Sequence, residues 1–171
     1  METMQASLTK WPESKMAVRF SDCDLYGHLN NVWYIKYFLD AREDHIAENY
    51  GLTLAKFAQL GVGWVVSSNQ IAYFKPARVN ESVVVRSAIV GHQTDQILVE
   101  MQMLDSAASH FKSVMWSRFV HVGLKDGKRT AHSAEMTELF DQLRAGDYAD
   151  RDFHDRIQYL RSVKPSDLTS V

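Results

Sequence analysis

The chain has 171 residues, of which 46% are hydrophobic and 23% charged, and its formal net charge is −2. This length and composition suit one domain with a substantial hydrophobic core. The slightly negative charge argues against nucleic acid as a partner, because such binding needs a concentrated basic face. The single cysteine, Cys23, excludes an intrachain disulfide and favours a reducing, cytoplasmic location.

Residues 1–15 are polar and are predicted to form an N-terminal arm. They lack the basic start and apolar run of a signal peptide, so none is expected. No apolar stretch reaches the length of a transmembrane helix, so we also expect no membrane partner.

Next, the chain passes from a strand through a polar loop into a long helix. The strand is predicted at residues 16–21. Either Asn30 or Asn31 can cap the helix, since an asparagine oxygen accepts from a free N–H of the first turn. Gly51 is suited to end the helix. Apolar residues recur along it at helical spacing, at Val32, Ile35, Phe38, Leu39, Ile46 and Tyr50.

After a short helical turn at residues 54–60, the apolar period changes to two. Strands are predicted at 64–74, 81–90, 97–103 and 110–123, with turns at 91–93, 105–109 and 125–128. Lys75-Pro76 ends the first of these strands or sets it at a sheet edge. In the third, Ile97, Val99, Met101 and Met103 alternate with Leu98, Glu100 and Gln102, which is typical of a strand with one buried face.

Two helices are predicted near the C-terminus. Ser133 is expected to cap a helix that Gly146 ends, and residues 151–163 form a tail helix that could pack on a neighbouring subunit. A strand, a long helix and then four strands in succession indicate an α+β protein with an antiparallel sheet curled around one helix.

The loop and the start of the long helix carry the most specific pattern, Asp-x-Asp-x-x-Gly-His-x-Asn-Asn-x-x-Tyr-x-x-Tyr-Phe. This pattern resembles the entry to the central helix of hotdog-fold acyl-CoA thioesterases, in particular the 4-hydroxybenzoyl-CoA thioesterase-like branch. Its residues here are Asp22, Asp24, Gly27, His28, Asn30, Asn31, Tyr34, Tyr37 and Phe38.

The resemblance implies a sheet of about five strands wrapped around the central helix. It implies a hotdog domain at residues 16–145 with a helical extension at 146–171, and homodimers or homotetramers with active sites between subunits. It also maps the catalytic carboxylate of that branch onto Asp24.

Asp24 suits this chemistry because a thiolate leaves readily, so hydrolysis needs little beyond an attacking oxygen and an oxyanion binder. A carboxylate can attack the carbonyl or take a proton from water. Backbone N–H groups around Asn31 and Val32, at the helix start, can bind the oxyanion. The alternative is that Asp24 only caps a turn, as loop aspartates often do.

Other residues of the motif have open roles. Asp22 is expected to hold the loop by accepting backbone N–H bonds. His28 could orient Asp24 or water, bind substrate, or simply bond to backbone. Asn31 is counted as catalytic through its backbone N–H. Tyr34 is expected to pack with a wet hydroxyl or to line the acyl pocket.

Ser67, Ser68 and Asn69 interrupt an apolar strand, so they could face the active cleft of a partner subunit or form a bonded core network. Cys23 is expected to be a buried spectator rather than a nucleophile. Histidines are scattered without metal-ligand spacing, so no metal is expected. Six cations near strand ends could hold coenzyme A phosphates: Lys75, Arg78, Lys112, Lys125, Lys128 and Arg129.

From the residues and the resemblance together, we expect an acyl-CoA thioesterase that uses no cofactor beyond the coenzyme A of its substrate. Two alternatives remain open: a thioesterase acting on an acyl carrier protein, and a non-catalytic acyl-CoA binding module on the same fold.

Overall fold

The computed structural model describes residues 8–146, 148 and 151–168. Five antiparallel strands form one sheet in the order β1-β3-β4-β5-β2. The strands are β1 Glu13–Ala17, β2 Val62–Tyr73, β3 Ser82–Gln93, β4 Gln96–Asp105 and β5 Phe111–Gly123. The helices are α1 Asn31–Tyr50, α2 Leu54–Leu60, α3 Ala134–Leu143 and α4 Phe153–Ser162, with 3₁₀ turns at Phe20–Asp22 and Pro165–Leu168.

The long helix α1 lies across the inner face of the sheet. Asn30 is its N-cap and accepts from Val32 N–H, and Gly51 ends it in the left-handed region at φ 65°. Buried residues of α1 pack on inward-facing residues of β3, β4 and β5, and α3 completes this inner core through Phe140 and Leu143. The predicted α+β hotdog architecture is therefore confirmed.

Some element boundaries differ from the prediction. The first strand ends at Ala17 instead of covering residues 16–21, because the chain then turns through the 3₁₀ segment Phe20–Asp22. Residues 91–93 are not a turn: they stay in β3, and the two-residue turn lies at 94–95. Gly91 instead follows a β-bulge, where the register with β4 shifts.

The short strand β1 pairs only with the first half of β3. The chain after α3 pairs with part of the second half. Ala145 and Tyr148 donate backbone hydrogen bonds to the carbonyls of Ile89 and Val90. These bonds draw the chain out of α3 at Leu143, earlier than the predicted stop at Gly146.

The tail helix α4 covers the outer face of the chain's own sheet. Ile157 and Leu160 of α4 pack on Val84, Leu104 and other outward residues. This packing lies within one chain, and contact of α4 with a neighbouring subunit stays a prediction. It also follows that β4 is buried on both faces, not on one alone.

At the other edge, β2 pairs with β5 and with no further strand among the described residues. Residues 65–70 of β2 are exposed. Of the predicted N-terminal arm, residues 1–7 lie outside the described residues. Within the described ranges, no helix is both long enough and apolar enough to cross a membrane.

Candidate functional site

The polar loop before α1 is a compact hairpin held by its own backbone. Cys23 and Leu29 face each other in an antiparallel bridge. On either side of that bridge, Asp24 N–H donates to the His28 carbonyl at 2.8 Å, and Asn30 N–H donates to the Asp22 carbonyl at 2.9 Å. The loop therefore arrives at the helix N-cap with a defined geometry.

Asp22 anchors this hairpin to α1. Its carboxylate is buried and accepts hydrogen bonds from the Tyr37 hydroxyl at 2.8 Å and from the Ser21 hydroxyl at 2.9 Å. Burial is the main reason why the pKa of Tyr37 lies above its ordinary value. The structural role expected for Asp22 fits this geometry, but its carboxylate partners are hydroxyls and not the backbone N–H groups that we expected.

Asp24 uses its two carboxylate oxygens differently. Oδ1 accepts from the backbone N–H groups of Tyr26 at 2.9 Å and His28 at 3.1 Å, which fixes the turn. Oδ2 accepts no hydrogen bond from the described part of the chain. Gly27 completes the turn at φ 72°, a conformation that favours glycine. Asp24 thus caps its turn and still presents one oxygen to the outside.

The first turn of α1 offers a backbone donor next to this loop. Val32 N–H donates to the Asn30 side chain at 3.3 Å, and Trp33 N–H to the Asn30 carbonyl at 2.9 Å. Asn31 N–H, by contrast, donates to no acceptor among the described residues. A helix N-terminus leaves its first amides available and carries partial positive charge.

Asp24 lies in an open depression of about 500 Å³ at the protein surface. Around it are exposed apolar side chains: Phe20, Leu25 and Tyr26 are more than 80% exposed, and Val32 is 68% exposed. Exposed apolar side chains that lie together mark sites of contact with a protein or a ligand. Besides Asp24, the residues that line the depression are Phe20, Ser21, Cys23, Leu25, Gly27, Asn30 and Val79.

His28 borders the depression through its backbone, which forms an isolated antiparallel bridge with Arg78. This bridge brings Arg78, an exposed cation, to the edge of the site. Lys112 is not available in the same way, because it is buried and forms an ion pair with Glu81 at 2.7 Å. Arg129 pairs with Asp95 at 3.3 Å. Of these cations, Arg78 is the one that adjoins the loop.

Two tyrosines lie behind the helix start. Tyr34 is only 2% exposed, and its hydroxyl accepts from Ala77 N–H at 3.0 Å, so the expected wet hydroxyl is wrong. Burial raises the pKa of Tyr34. Tyr73, which the sequence analysis did not single out, packs edge-to-face on Tyr34 and donates to the Asn31 carbonyl at 3.2 Å. In the sequence, the feature that points to Tyr73 is its position at the end of the predicted strand, just before Lys75-Pro76.

The polar residues of β2 lie on the exposed sheet edge and not in a central strand. The Ser67 hydroxyl donates to the Arg118 carbonyl at 3.2 Å, at the point where the register with β5 shifts. The Asn69 side chain accepts from the Ser117 hydroxyl at 2.6 Å. Ser68 lies between them and is exposed. The single chain therefore brings none of the three into the lining of the Asp24 depression.

Cys23 is half-buried, and its thiol donates to the Arg19 carbonyl at 3.3 Å. Burial, followed by the nearby charges of Asp22 and Asp24, raises the pKa of this thiol. A raised pKa disfavours the thiolate that a nucleophile needs. Among the described residues, no group of three or more histidine, cysteine or acidic side chains could hold a metal ion.

Comparison with known proteins agrees with the fold. A sequence model of the thioesterase-like superfamily matches residues 18–144. A search of curated proteins finds no match. Among solved structures, a DHNA-CoA thioesterase from Staphylococcus aureus aligns with a TM-score of 0.67 and 14% identity, over 89% of this chain and 93% of that one.

Two further solved structures are similar. A hypothetical protein from Staphylococcus aureus, SAV2348, in complex with CoA, has a TM-score of 0.72 and 11% identity, over 84% of this chain and 89% of that one. The probable thioesterase YbaW from Escherichia coli has a TM-score of 0.66 and 21% identity, over 77% of this chain and 97% of that one.

Proposed function

Because the chain belongs to the thioesterase-like superfamily and is a thioester hydrolase, we propose that it hydrolyses an acyl-CoA to a carboxylic acid and coenzyme A. The observation that carries the proposal is a pair of groups at the entry to α1, Asp24 Oδ2 and Asn31 N–H, that have no hydrogen-bond partner in the described part of the chain. One can supply the attacking oxygen and the other can bind the developing oxyanion.

In this mechanism Asp24 either attacks the thioester carbonyl or takes a proton from an attacking water. Negative charge grows on the carbonyl oxygen as the new bond forms, and the positive end of α1 stabilises it. In the first route the coenzyme A thiolate leaves and water then hydrolyses the acyl–Asp24 anhydride to the free acid. In the second route the thiolate leaves the tetrahedral intermediate and takes up the proton that Asp24 accepted from water. Since this leaving group is good, neither a metal nor a redox cofactor is needed.

His28 serves this site through its main chain, because its N–H donates to Asp24 and its carbonyl accepts from Asp24. The CoA bound to the similar Staphylococcus aureus protein supports a CoA-type ligand for this chain. Arg78, at the rim, is our candidate for contact with the phosphates, as guanidinium groups bind phosphate oxygens bidentately.

We also propose that the working form is a homodimer or homotetramer with the site between subunits, in a reducing cytoplasm. The exposed apolar side chains beside Asp24 and the unpaired edge of β2 are the surfaces that a second copy would cover. In such an assembly, Ser67, Ser68 and Asn69 of one copy would approach the site of another. Analytical ultracentrifugation of Val66→Lys against wild type tests this proposal, and a wild-type monomer with full activity would contradict it.

The test of catalysis is thiol release from short, long and aromatic acyl-CoAs by wild type and Asp24→Asn. Asparagine keeps Oδ1 as the acceptor that holds the turn, so the loop is retained while the basic oxygen is lost. We expect kcat to fall by about 10²- to 10⁴-fold with binding preserved. The helix substitution Asp40→Asn is the matched control, and equal turnover in Asp24→Asn would remove Asp24 from its role.

The oxyanion donor can be tested separately with a backbone substitution. Asn31→Pro removes the N–H at the first helical position, where proline is well tolerated. Asn30 already has φ −65° and ψ 140°, the extended conformation that a residue before proline requires. We expect kcat to fall by about 10²- to 10³-fold. Asn31→Ala keeps the N–H and should stay close to wild type.

A further inference from the structure

A second concave site lies inside the fold, away from Asp24. It is a cavity of about 360 Å³ between the second half of α1, the short helix α2, the helix α3 and the inner face of the sheet. This volume falls at the lower end of the range of about 300–1,000 Å³ for small-molecule pockets. Its apolar walls include Leu39, Ile46, Phe57, Trp64, Val99 and Leu139.

One wall of this cavity carries a buried cation. Arg42 of α1 lines the cavity and is only 7% exposed. Arg42 forms no ion pair with any described residue. Its Nη1 donates to the Ser87 hydroxyl at 3.3 Å, and the Tyr50 hydroxyl also stabilises its charge. Both of these partners are neutral oxygens.

A guanidinium has five N–H donors and stays charged in proteins. Removing such a charge from water is costly unless an anion compensates it. Glu43, which also lines the cavity, attracts Arg42 without forming an ion pair with it, and burial holds the pKa of the Glu43 carboxyl above its ordinary value. Among the described residues, the guanidinium of Arg42 therefore has no carboxylate in direct contact.

We propose that this cavity is a binding site for a small amphipathic carboxylate, whose acid group pairs with Arg42 and whose hydrocarbon part fills the apolar space. Arginine binds a carboxylate through two parallel hydrogen bonds, and the apolar walls favour an alkyl or aryl chain. This ligand has the chemistry of the acid that thioester hydrolysis releases.

The site is separate from the proposed catalytic one. Leu39 is the first residue of α1 that lines the cavity, about 12 Å along the helix from Asn31. None of the residues that line the Asp24 depression also lines the cavity. The binding proposal therefore does not depend on the role of Asp24.

The test compares octanoate with 1-octanol, which has the same chain length without the charge, by isothermal titration calorimetry. We expect wild type and Asp24→Asn to bind octanoate at least about tenfold more tightly than 1-octanol. In Arg42→Met, which keeps an unbranched apolar stem, octanoate should lose that advantage while 1-octanol binding stays. Glu43→Gln is the matched control at the neighbouring position and should keep or strengthen octanoate binding.

Equal binding of octanoate and 1-octanol by wild type would overturn the proposal, since the cavity would then select only for apolar volume. Loss of octanoate binding in Asp24→Asn would also overturn it, because the ligand would then lie at the other site. Leu139→Trp, which fills the cavity, should abolish binding of both ligands.

A measurement on the wild-type protein keeps the proposal testable if Arg42→Met fails to fold. The carboxyl of ¹³C-labelled octanoate is titrated by NMR in the bound state. Pairing with the guanidinium should lower the pKa of the bound acid below that of free octanoate. A bound pKa equal to the free value, or above it, would contradict the pairing.

Discussion

The ion pair between Glu100 and Arg156 should contribute strongly to stability, because it is buried under α4. Glu100 has no exposed surface. Arg156 Nε and Nη2 each donate to one oxygen of its carboxylate at 2.8 Å, and Trp116 Nε1 also donates at 2.8 Å. Gln102 donates to the same carboxylate. Burial by itself lowers the pKa of Arg156, but the hydrogen bonds that Arg156 donates to Glu100, together with the charge of that carboxylate, outweigh burial and hold the pKa above its ordinary value.

We predict that Arg156→Met lowers the free energy of unfolding by about 3–5 kcal/mol, the usual cost of leaving one partner of a buried pair uncompensated. This loss is a large share of the roughly 5–15 kcal/mol that stabilises a typical domain. Adding Glu100→Gln should restore part of the loss, since the amide oxygen still accepts from Trp116 and the unpaired buried carboxylate is gone.

The measurement is urea denaturation followed by tryptophan fluorescence, with the exposed pair Lys36–Asp40 as the control. Asp40→Asn should change stability little, because exposed pairs contribute little. A loss below about 1 kcal/mol, or no rescue by Glu100→Gln, would refute the reasoning.

Three further predictions concern α1 and the rim of the site. Burial and the charge of Arg42 lower the pKa of His45 to about 4. Because the pKa in the unfolded chain is about 6.5, the free energy of unfolding should fall by up to about 3 kcal/mol as the pH drops from 6.5 to 4. In thermal melts, His45→Gln should flatten this pH dependence. Asn30→Ala should lower the free energy of unfolding, measured by urea denaturation, by about 1 kcal/mol, since it removes the N-cap of α1. A change within error would show that the 3.3 Å hydrogen bond from Val32 N–H to Asn30 is not stabilising. Arg78→Ala should raise KM for acyl-CoA several-fold with little change in kcat, while Lys36→Ala, at an exposed cation outside the candidate set, should leave both constants unaltered.

Much of the fold could be predicted from local patterns. The helical period and the pair Asn30 and Gly51 correctly located α1, because capping and left-handed termination depend on a few neighbouring residues. The change to a period of two located the four long strands to within a few residues. The motif at Asp22 to Phe38 also indicated the superfamily that the comparison confirms.

The same patterns could not predict which polar atoms of the site are hydrogen-bonded or buried. That Asp24 bonds its turn through one oxygen and leaves the other free depends on how the hairpin closes. The hydroxyl of Tyr34 is dry because Ala77, 43 residues away, donates to it. Arg42 forms no ion pair among the described residues, because packing between α1 and β3 places its guanidinium against the Ser87 hydroxyl.

The amino-acid sequence by itself determined the order of helices and strands, the caps of α1 and the identity of the loop that carries Asp24. Only the tertiary structure decided what covers the outer face of the sheet. Glu100 follows the alternation expected of a solvent-facing position, yet Arg156, 56 residues later, buries it. Periodicity reports which residues share a face of one element, whereas burial depends on which distant element packs on that face.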